Sequence, residues 1–455
     1  MSSPPLNESA PEKQFSLKRW ALVIGIIAIT ASTSLILIED QRMARAAVIV
    51  CLCLTLWLSE TVPPYVPTLF LWALVPLLMQ PLGQEFGFGS VLGWSADPVL
   101  ALFLGGFTLS VAASRYKLDA RVAHLAVRLS GGRRLALLAL TAAATAVLSM
   151  WMSNIAAAAM MIAALRPLFP DSPQDDSFRR ALLMGVALGA NFGGMATPVG
   201  TGPNAIAIAA ISKHQSITFL SWMAFALPLT VGMLIAGIIL LVWRFRVNGR
   251  AQLPHLHPPP LARGARGVLM IFAITILAWL TEPLHGAPSG IVALLAVAAL
   301  FGSGLLNRQD LNSIDWSTLA LIAGGIGLGN LLEQSGLVKA AAQAVPWAQA
   351  SPFVRILVLC FSSAILSALM SNTATATFLI PLGLSLDASP STAIMIAIAA
   401  SMGIPFVIST PPNAMVYGEG VRSSDLLVPG LILMLLGCLL ISWTGPFVLR
   451  VMGIL

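Results

Sequence analysis

Ser149-Met150-Trp151-Met152-Ser153-Asn154 and, 218 positions later, Ser367-Ala368-Leu369-Met370-Ser371-Asn372-Thr373 decide how this chain is read. Each is a polar interruption inside an apolar stretch, and no Asp, Glu, Lys, Arg or His occurs in Leu135–Leu165 or Ile356–Leu386. Each is followed by a second interruption, Gly200-Thr201-Gly202-Pro203-Asn204 and Ser409-Thr410-Pro411-Pro412-Asn413, with the Pro-Asn pairs 209 apart. Each is preceded by a Gly-Gly pair, Gly105-Gly106 and Gly324-Gly325, 219 apart. Three landmarks in one order mark an internal repeat. The offset shortens only where the first half carries the longer charged loop Asp171–Arg180, answered by Asp387–Ser391.

Composition places this repeat in a membrane. The chain is 57% hydrophobic and 9% charged, against about 25% charged in a soluble domain. Runs such as Ala21–Ile38, Phe225–Trp243 and Leu426–Leu449 reach or approach the ~20 residues that cross a bilayer as a helix. The apolar–polar alternation of a β-barrel is missing. The fold class is an all-α polytopic membrane protein with eleven spans, near 21–38, 46–59, 66–82, 99–113, 181–211, 225–243, 267–284, 289–305, 316–332, 391–418 and 426–449. Re-entrant hairpins are expected at 135–168 and 353–386. With a cytoplasmic N-terminus and an outside C-terminus, 19 of the 25 Lys and Arg fall on the cytoplasmic side and 6 outside. The net charge of +7 is thus topological, a positive-inside bias, and no nucleic-acid partner is expected. Cys51, Cys53, Cys360 and Cys438 lie in apolar segments as packing residues.

Five spans separate the hairpins, so the second half is inverted relative to the first, the architecture of many secondary transporters. The expected regions are a disordered cytoplasmic tail at 1–20, scaffold helices at 21–114 and a first transport region at 115–223. Scaffold helices with a cytoplasmic linker at 244–266 occupy 224–334, a second transport region 335–425, and a final helix 426–455. Helix breaks at bilayer depth must line a cavity or be buried in protein, because lipid cannot satisfy the freed backbone groups. Helix N-termini favour a carboxylate. Hydroxyls, amide oxygens and bare carbonyls suit a small hard cation. Without cationic side chains in the hairpins, bound cations are the natural counter-charge for a desolvated dianion. Proton coupling would ask for a titratable intramembrane group, which the hairpins lack.

These residues resemble the divalent anion:sodium symporter family. Leu56-Trp57-Leu58-Ser59-Glu60-Thr61-Val62-Pro63 is similar to its early Trp-rich segment, and Ser149–Asn154 to its Ser-Met-Trp-x-Ser-Asn run. Ser371-Asn372-Thr373-Ala374-Thr375-Ala376 and Thr410-Pro411-Pro412-Asn413 match its second Ser-Asn-Thr motif and its helix break. The resemblance implies a homodimer in the inner cell membrane, with a transport domain sliding as an elevator on a scaffold. It also implies sodium-coupled symport of di- or tricarboxylates, with sodium as coupling ion and no organic cofactor. Ser149, Ser153, Asn154 and Gly200 are then one sodium site, and Ser367, Asn372 and Ser409 the other. Asn154, Thr201, Asn372, Thr373, Thr410 and Pro411 are the implied substrate contacts, and Glu60 a structural carboxylate. Two departures stand out: Ile155 replaces the usual Thr, and Thr201-Gly202-Pro203-Asn204 replaces Thr-Pro-Pro-Asn. Cation-independent exchange and sulfate transport stay open as alternatives. An intramembrane serine hydrolase would need a general base beside its serine. His124, His214, His255, His257 and His285 all fall in loops or flanking helices, so no enzyme is expected.

Overall fold

The computed structural model describes residues 17–59, 61–168, 177–212, 215, 217–251, 260, 262–344, 349–386, 389–451 and 453. The expected tail up to residue 16, Glu60, His214, His255, His257 and most of the Pro-rich linker lie outside the described residues. The fold is all-helical, and an isolated bridge between Arg133 and Arg250 is the one β pairing among the described residues.

The first half runs α1 (Leu17–Leu37), α2 (Gln41–Ser59), α3 (Val66–Met79), α4 (Phe88–Trp94), α5 (Pro98–Arg115) and α6 (Leu118–Leu129). It continues through α7 (Arg134–Ser149), α8 (Asn154–Leu165), α9 (Ser177–Gly193), α10 (Gly202–Ser212) and α11 (Phe219–Phe245). The second half runs α12 (Ala265–Leu280), α13 (Glu282–His285), α14 (Ser289–Gly302), α15 (Arg308–Asn312), α16 (Trp316–Gln334) and α17 (Leu337–Ala344). It ends with α18 (Pro352–Leu369), α19 (Asn372–Leu386), α20 (Pro390–Ala400), α21 (Pro411–Gly418) and α22 (Ser423–Val451). Helices cover every expected span and all four hairpin arms. Among the described residues, six helices are long and apolar enough by themselves to cross a bilayer.

Local chemistry repeats along with the order. Asp97 and Asp315 are the N-caps of α5 and α16, accepting from the backbone N–H of Val99 and Thr318. Lys117 and Gly336, both at positive φ (55° and 79°), turn the chain into α6 and α17. The Gly-Gly pairs explain themselves in packing. A Cβ on Gly105 would collide with Ala293 of α14, and one on Gly324 with Thr68 of α3. On the other side Gly106 receives Val199 and Gly325 receives Thr377 and Ile206. Each half's Gly-Gly helix is therefore clasped by a helix of the opposite half, which interlocks the repeats.

Buried apolar side chains divide accordingly. The largest core joins α6–α11 with α18–α22, for example through Leu138, Phe192, Trp222, Ile396 and Leu433. α11, grouped with the scaffold by the sequence boundaries, sends Phe225, Met233 and Leu241 into this core. A second core lies between α2, α3, α4 and α16, and a third between α5, α12 and α14. A thin seam of Phe103, Phe107, Ala205, Ile322 and Ile326 joins α5 and α16 to α10.

Candidate functional site

Both hairpins turn in the same way. α7 ends at Ser149, and Ser153 caps α8 by accepting from Ala156 N at 3.2 Å. α18 ends at Leu369, and Ser371 caps α19 by accepting from Ala374 N at 3.1 Å. A serine just before the second arm satisfies one orphan N–H and fixes where the new helix starts. Asn154 and Asn372 are thereby the first residues of their helices.

Behind each tip, three oxygens face one another. Ser149 Oγ lies 2.7 Å from Asn154 Oδ1 and 2.7 Å from the Ala190 carbonyl. Ser367 Oγ lies 2.7 Å from Asn372 Oδ1 and 2.6 Å from the Ala400 carbonyl. A hydroxyl has one proton and can serve only one of its two acceptors. Ser149 and Ser367 are fully buried, while Asn154 and Asn372 are half-buried at the cavity wall. A cluster of neutral oxygens of this kind is chemically able to ligate a small hard cation. In the first half Gly200 and Gly194 close the cluster: a Cβ on Gly200 would strike the Gly194 backbone, and one on Gly194 the Asn154 amide. Ser409 Oγ donates to the Ala368 carbonyl at 2.9 Å and accepts from Phe406 N at 3.0 Å.

The asparagines of the Pro-Asn motifs hold the helix breaks open. Asn204 Nδ2 donates to the carbonyls of Gly194 (3.1 Å) and Thr197 (2.8 Å). Asn413 Nδ2 donates to those of Ile404 and Phe406, both at 2.9 Å. These carbonyls flank the breaks, where the helical ladder stops, and bonding them lowers the desolvation cost of the break. Asn191 Nδ2 also donates to Asn413 Oδ1 at 3.1 Å, stitching α9 to α21. Thr410 caps α21 through its hydroxyl.

All six expected substrate contacts, Asn154, Thr201, Asn372, Thr373, Thr410 and Pro411, line one cavity of about 200 Å³. Ser153, Gly200 and Ser409 line it too, while Ser149 and Ser367 sit behind it. The starts of α8, α10, α19 and α21 therefore meet at one space. Four N-termini, each equivalent to about half a positive charge, create an anion-attracting field without a cationic side chain. Gly202 has a physical reason: a Cβ there would overlap the Thr373 hydroxyl, so the first break is open enough to admit the second hairpin. Ile155 is half exposed and forms part of the cavity wall.

The opposite wall was not foreseen from the sequence. It comes from Phe103 and Phe107 of α5 and from Asp315 and Thr318 at the start of α16. A further cavity of about 430 Å³ shares Phe107, Ser153 and Asp315 with the first and leads past the Arg115–Asp310 ion pair. Trp151, at the first hairpin tip, stacks on Phe219 (6.0 Å between centroids) and Trp279 (6.3 Å), docking the tip against α12. No histidine lines the cavity among the described residues.

Comparison with known proteins places the chain among membrane transporters. The profile of the citrate transporter family (CitMHS) matches residues 54–392. A protein of Haemophilus influenzae described as an uncharacterized transporter is 31% identical, over 86% of this chain and 88% of its own. The sodium-dependent dicarboxylate transporter SdcS of Staphylococcus saprophyticus is 25% identical, over 85% and 83% of the two chains. The inorganic phosphate transporter PHO87 of Saccharomyces cerevisiae is 30% identical over 74% of this chain, which spans 38% of that longer protein. Among solved structures, the YdaH transporter of Alcanivorax borkumensis superposes with a TM-score of 0.58 at 15% identity, over 85% of this chain and 99% of that one. That likeness concerns the fold.

Proposed function

The chain belongs to the citrate transporter family, and from that premise we propose that this secondary transporter carries small di- and tricarboxylate anions with sodium. The observation that carries the reading is the meeting of four helix N-termini at one cavity, backed by two symmetric Ser–Asn–carbonyl oxygen clusters. The N-termini hold the carboxylates and the oxygen clusters hold sodium ions, which supply the positive charge that the side chains do not. Ser149, Ser153, Asn154 and Gly200 form one sodium site, and Ser367, Asn372 and Ser409 the other. Asn154, Thr201, Asn372, Thr373, Thr410 and Pro411 contact the anion. Each Asn amide serves both ligands, its oxygen facing the cation and its nitrogen the anion.

In this reading the chain crosses the cell membrane eleven times with its N-terminus in the cytoplasm, and two copies form a dimer. The body built from α6–α11 and α18–α22 slides against the remaining helices along the thin α5/α16 seam, carrying the site between the two faces. The cavity leads past Arg115 and Asp310, on the side that the positive-inside rule assigns to the cytoplasm, so the conformation is inward-facing.

The phosphate-transporting yeast relative favours a second reading, in which the anion is inorganic phosphate. Uptake by proteoliposomes of labelled succinate, 2-oxoglutarate, citrate and phosphate separates the two. Saturable uptake of a carboxylate, not displaced by phosphate, is expected. Uptake of phosphate alone would replace the carboxylate reading, and uptake of none of the four would remove both.

A further inference from the structure

Asp315 is the one charged residue on the wall of the cavity among the described residues. An acid in an anion site calls for a reason. Its carboxylate accepts from Thr318 N at 2.9 Å and from Thr318 Oγ1 at 2.6 Å, both neutral donors. The neighbouring cation, Arg115, is engaged with Asp310 instead. The start of α16 offsets about half of the Asp315 charge. The remainder acts on whatever occupies the cavity, because the residue is exposed to it. Capping α16 does not by itself require this charge, since Asn caps a helix as well as Asp.

Resting on the anion reading above, we infer that Asp315 is a specificity-determining residue that opposes the substrate's negative charge where the cavity opens. The N-termini of α8, α10, α19 and α21 draw an anion in, and Asp315 limits how tightly it is held. The hold weakens with each additional charge on the substrate. Asp315 belongs to α16, whereas Asn154 and Asn372 belong to the hairpins. The repulsion therefore acts while the hairpin tips stand beside the start of α16. A carrier needs a site strong enough to fill and weak enough to empty, and this placement confines the weakening to the open side. Two unit charges about 10 Å apart, at an effective dielectric constant of about 40 to 80, change an affinity roughly two- to fourfold.

Asp315→Asn separates charge from capping. Equilibrium binding of succinate and of citrate to the purified full-length protein is measured at fixed sodium and about pH 8, where carboxylates are fully ionised. The variant is expected to bind succinate more tightly. Citrate, with one more charge, should gain a further roughly two- to fourfold. Raising ionic strength with choline chloride should narrow the difference between variant and wild type, because salt screens the repulsion. Unchanged dissociation constants, or the same gain for both anions, would reduce Asp315 to a helix cap and overturn the inference. If the wild-type protein binds neither anion, the anion reading itself fails and takes this inference with it.

Discussion

Replacing Ser367 with alanine tests whether the oxygen clusters are cation sites or only hydrogen-bonded glue between helices. The hydroxyl sits 2.7 Å from Asn372 Oδ1 and 2.6 Å from the Ala400 carbonyl, in a position with no exposure. Its one proton can serve only one of them at a time, and Ser367→Ala removes that donor, while the Ala400 carbonyl keeps its 3.4 Å bond from Gly403 N. A typical intramolecular hydrogen bond contributes about 0.5–1.5 kcal/mol, so the sodium-free protein should lose stability of that order. A bound sodium would also lose one oxygen ligand. Taking a contact to a charged group as worth about 1.5–3 kcal/mol, the sodium affinity should fall roughly 10- to 150-fold. Thermal unfolding of the purified protein across a sodium titration reads both quantities, because a ligand that binds only the folded state raises its stability. The expected result is a lower midpoint without sodium and a sodium response displaced to higher concentration. Ser149→Ala should behave alike, since its cluster has the same geometry. A lower midpoint with an undisplaced sodium response would refute the reasoning. It would mean that the Asn372 amide is turned the other way, its nitrogen donating to Ser367 Oγ. The hydroxyl proton would then serve the Ala400 carbonyl, and no cation would be needed.

Two more predictions rest on broken symmetry. Ile155 presents apolar surface to the cavity where its repeat partner Thr373 has a hydroxyl. Ile155→Thr should shift the preference among succinate, 2-oxoglutarate and citrate by about tenfold, the worth of one hydrogen bond to a charged group, while Thr373→Ile should impair uptake of all three. An unchanged inhibition ranking in an active Ile155→Thr protein would place that side chain outside the substrate's reach. Asn204 Oδ1 and Ser401 Oγ are buried without a partner at positions that answer to the bonded pair Asn413 and Asn191. Ser401→Asn should complete the missing bond and raise stability by about 1 kcal/mol, read as a higher unfolding midpoint; an unchanged or lower midpoint counts against the pairing.

The repeat, the hairpins and the helix breaks were legible because they are punctuated by residues with local conformational consequences. Ser153 and Ser371 cap the arm that follows them, and the Pro-Asn pairs stop one helix and start the next. Such signals act within a few residues and survive in the linear text. The body of the cavity was legible for the same reason, since hairpin tips and breaks supply its floor. Its far wall was not. Phe103, Phe107, Asp315 and Thr318 sit in ordinary helices and reach the cavity only through tertiary packing. The cross-clasp of Gly105 on Ala293 and of Gly324 on Thr68 likewise depends on which helices meet. One clue could have been used: Asp97 and Asp315 stand 218 positions apart, at the same offset as the hairpins, and mark equivalent helix starts. The asparagines of the breaks were legible as landmarks, but their work of bonding the carbonyls that flank each break is visible only in three dimensions.

Sodium-driven accumulation tests the central claim most directly. Proteoliposomes holding the purified protein, loaded with no substrate, are given labelled dicarboxylate with an inward sodium gradient and, separately, with choline in its place. The account predicts concentrative uptake that depends on sodium, with at least two sodium ions for each dianion. A third ion would add a response to membrane potential of about 2.3 kcal/mol per 100 mV. Uptake of equal rate and extent without sodium would contradict it, and uptake seen only when unlabelled substrate is trapped inside would replace symport with exchange.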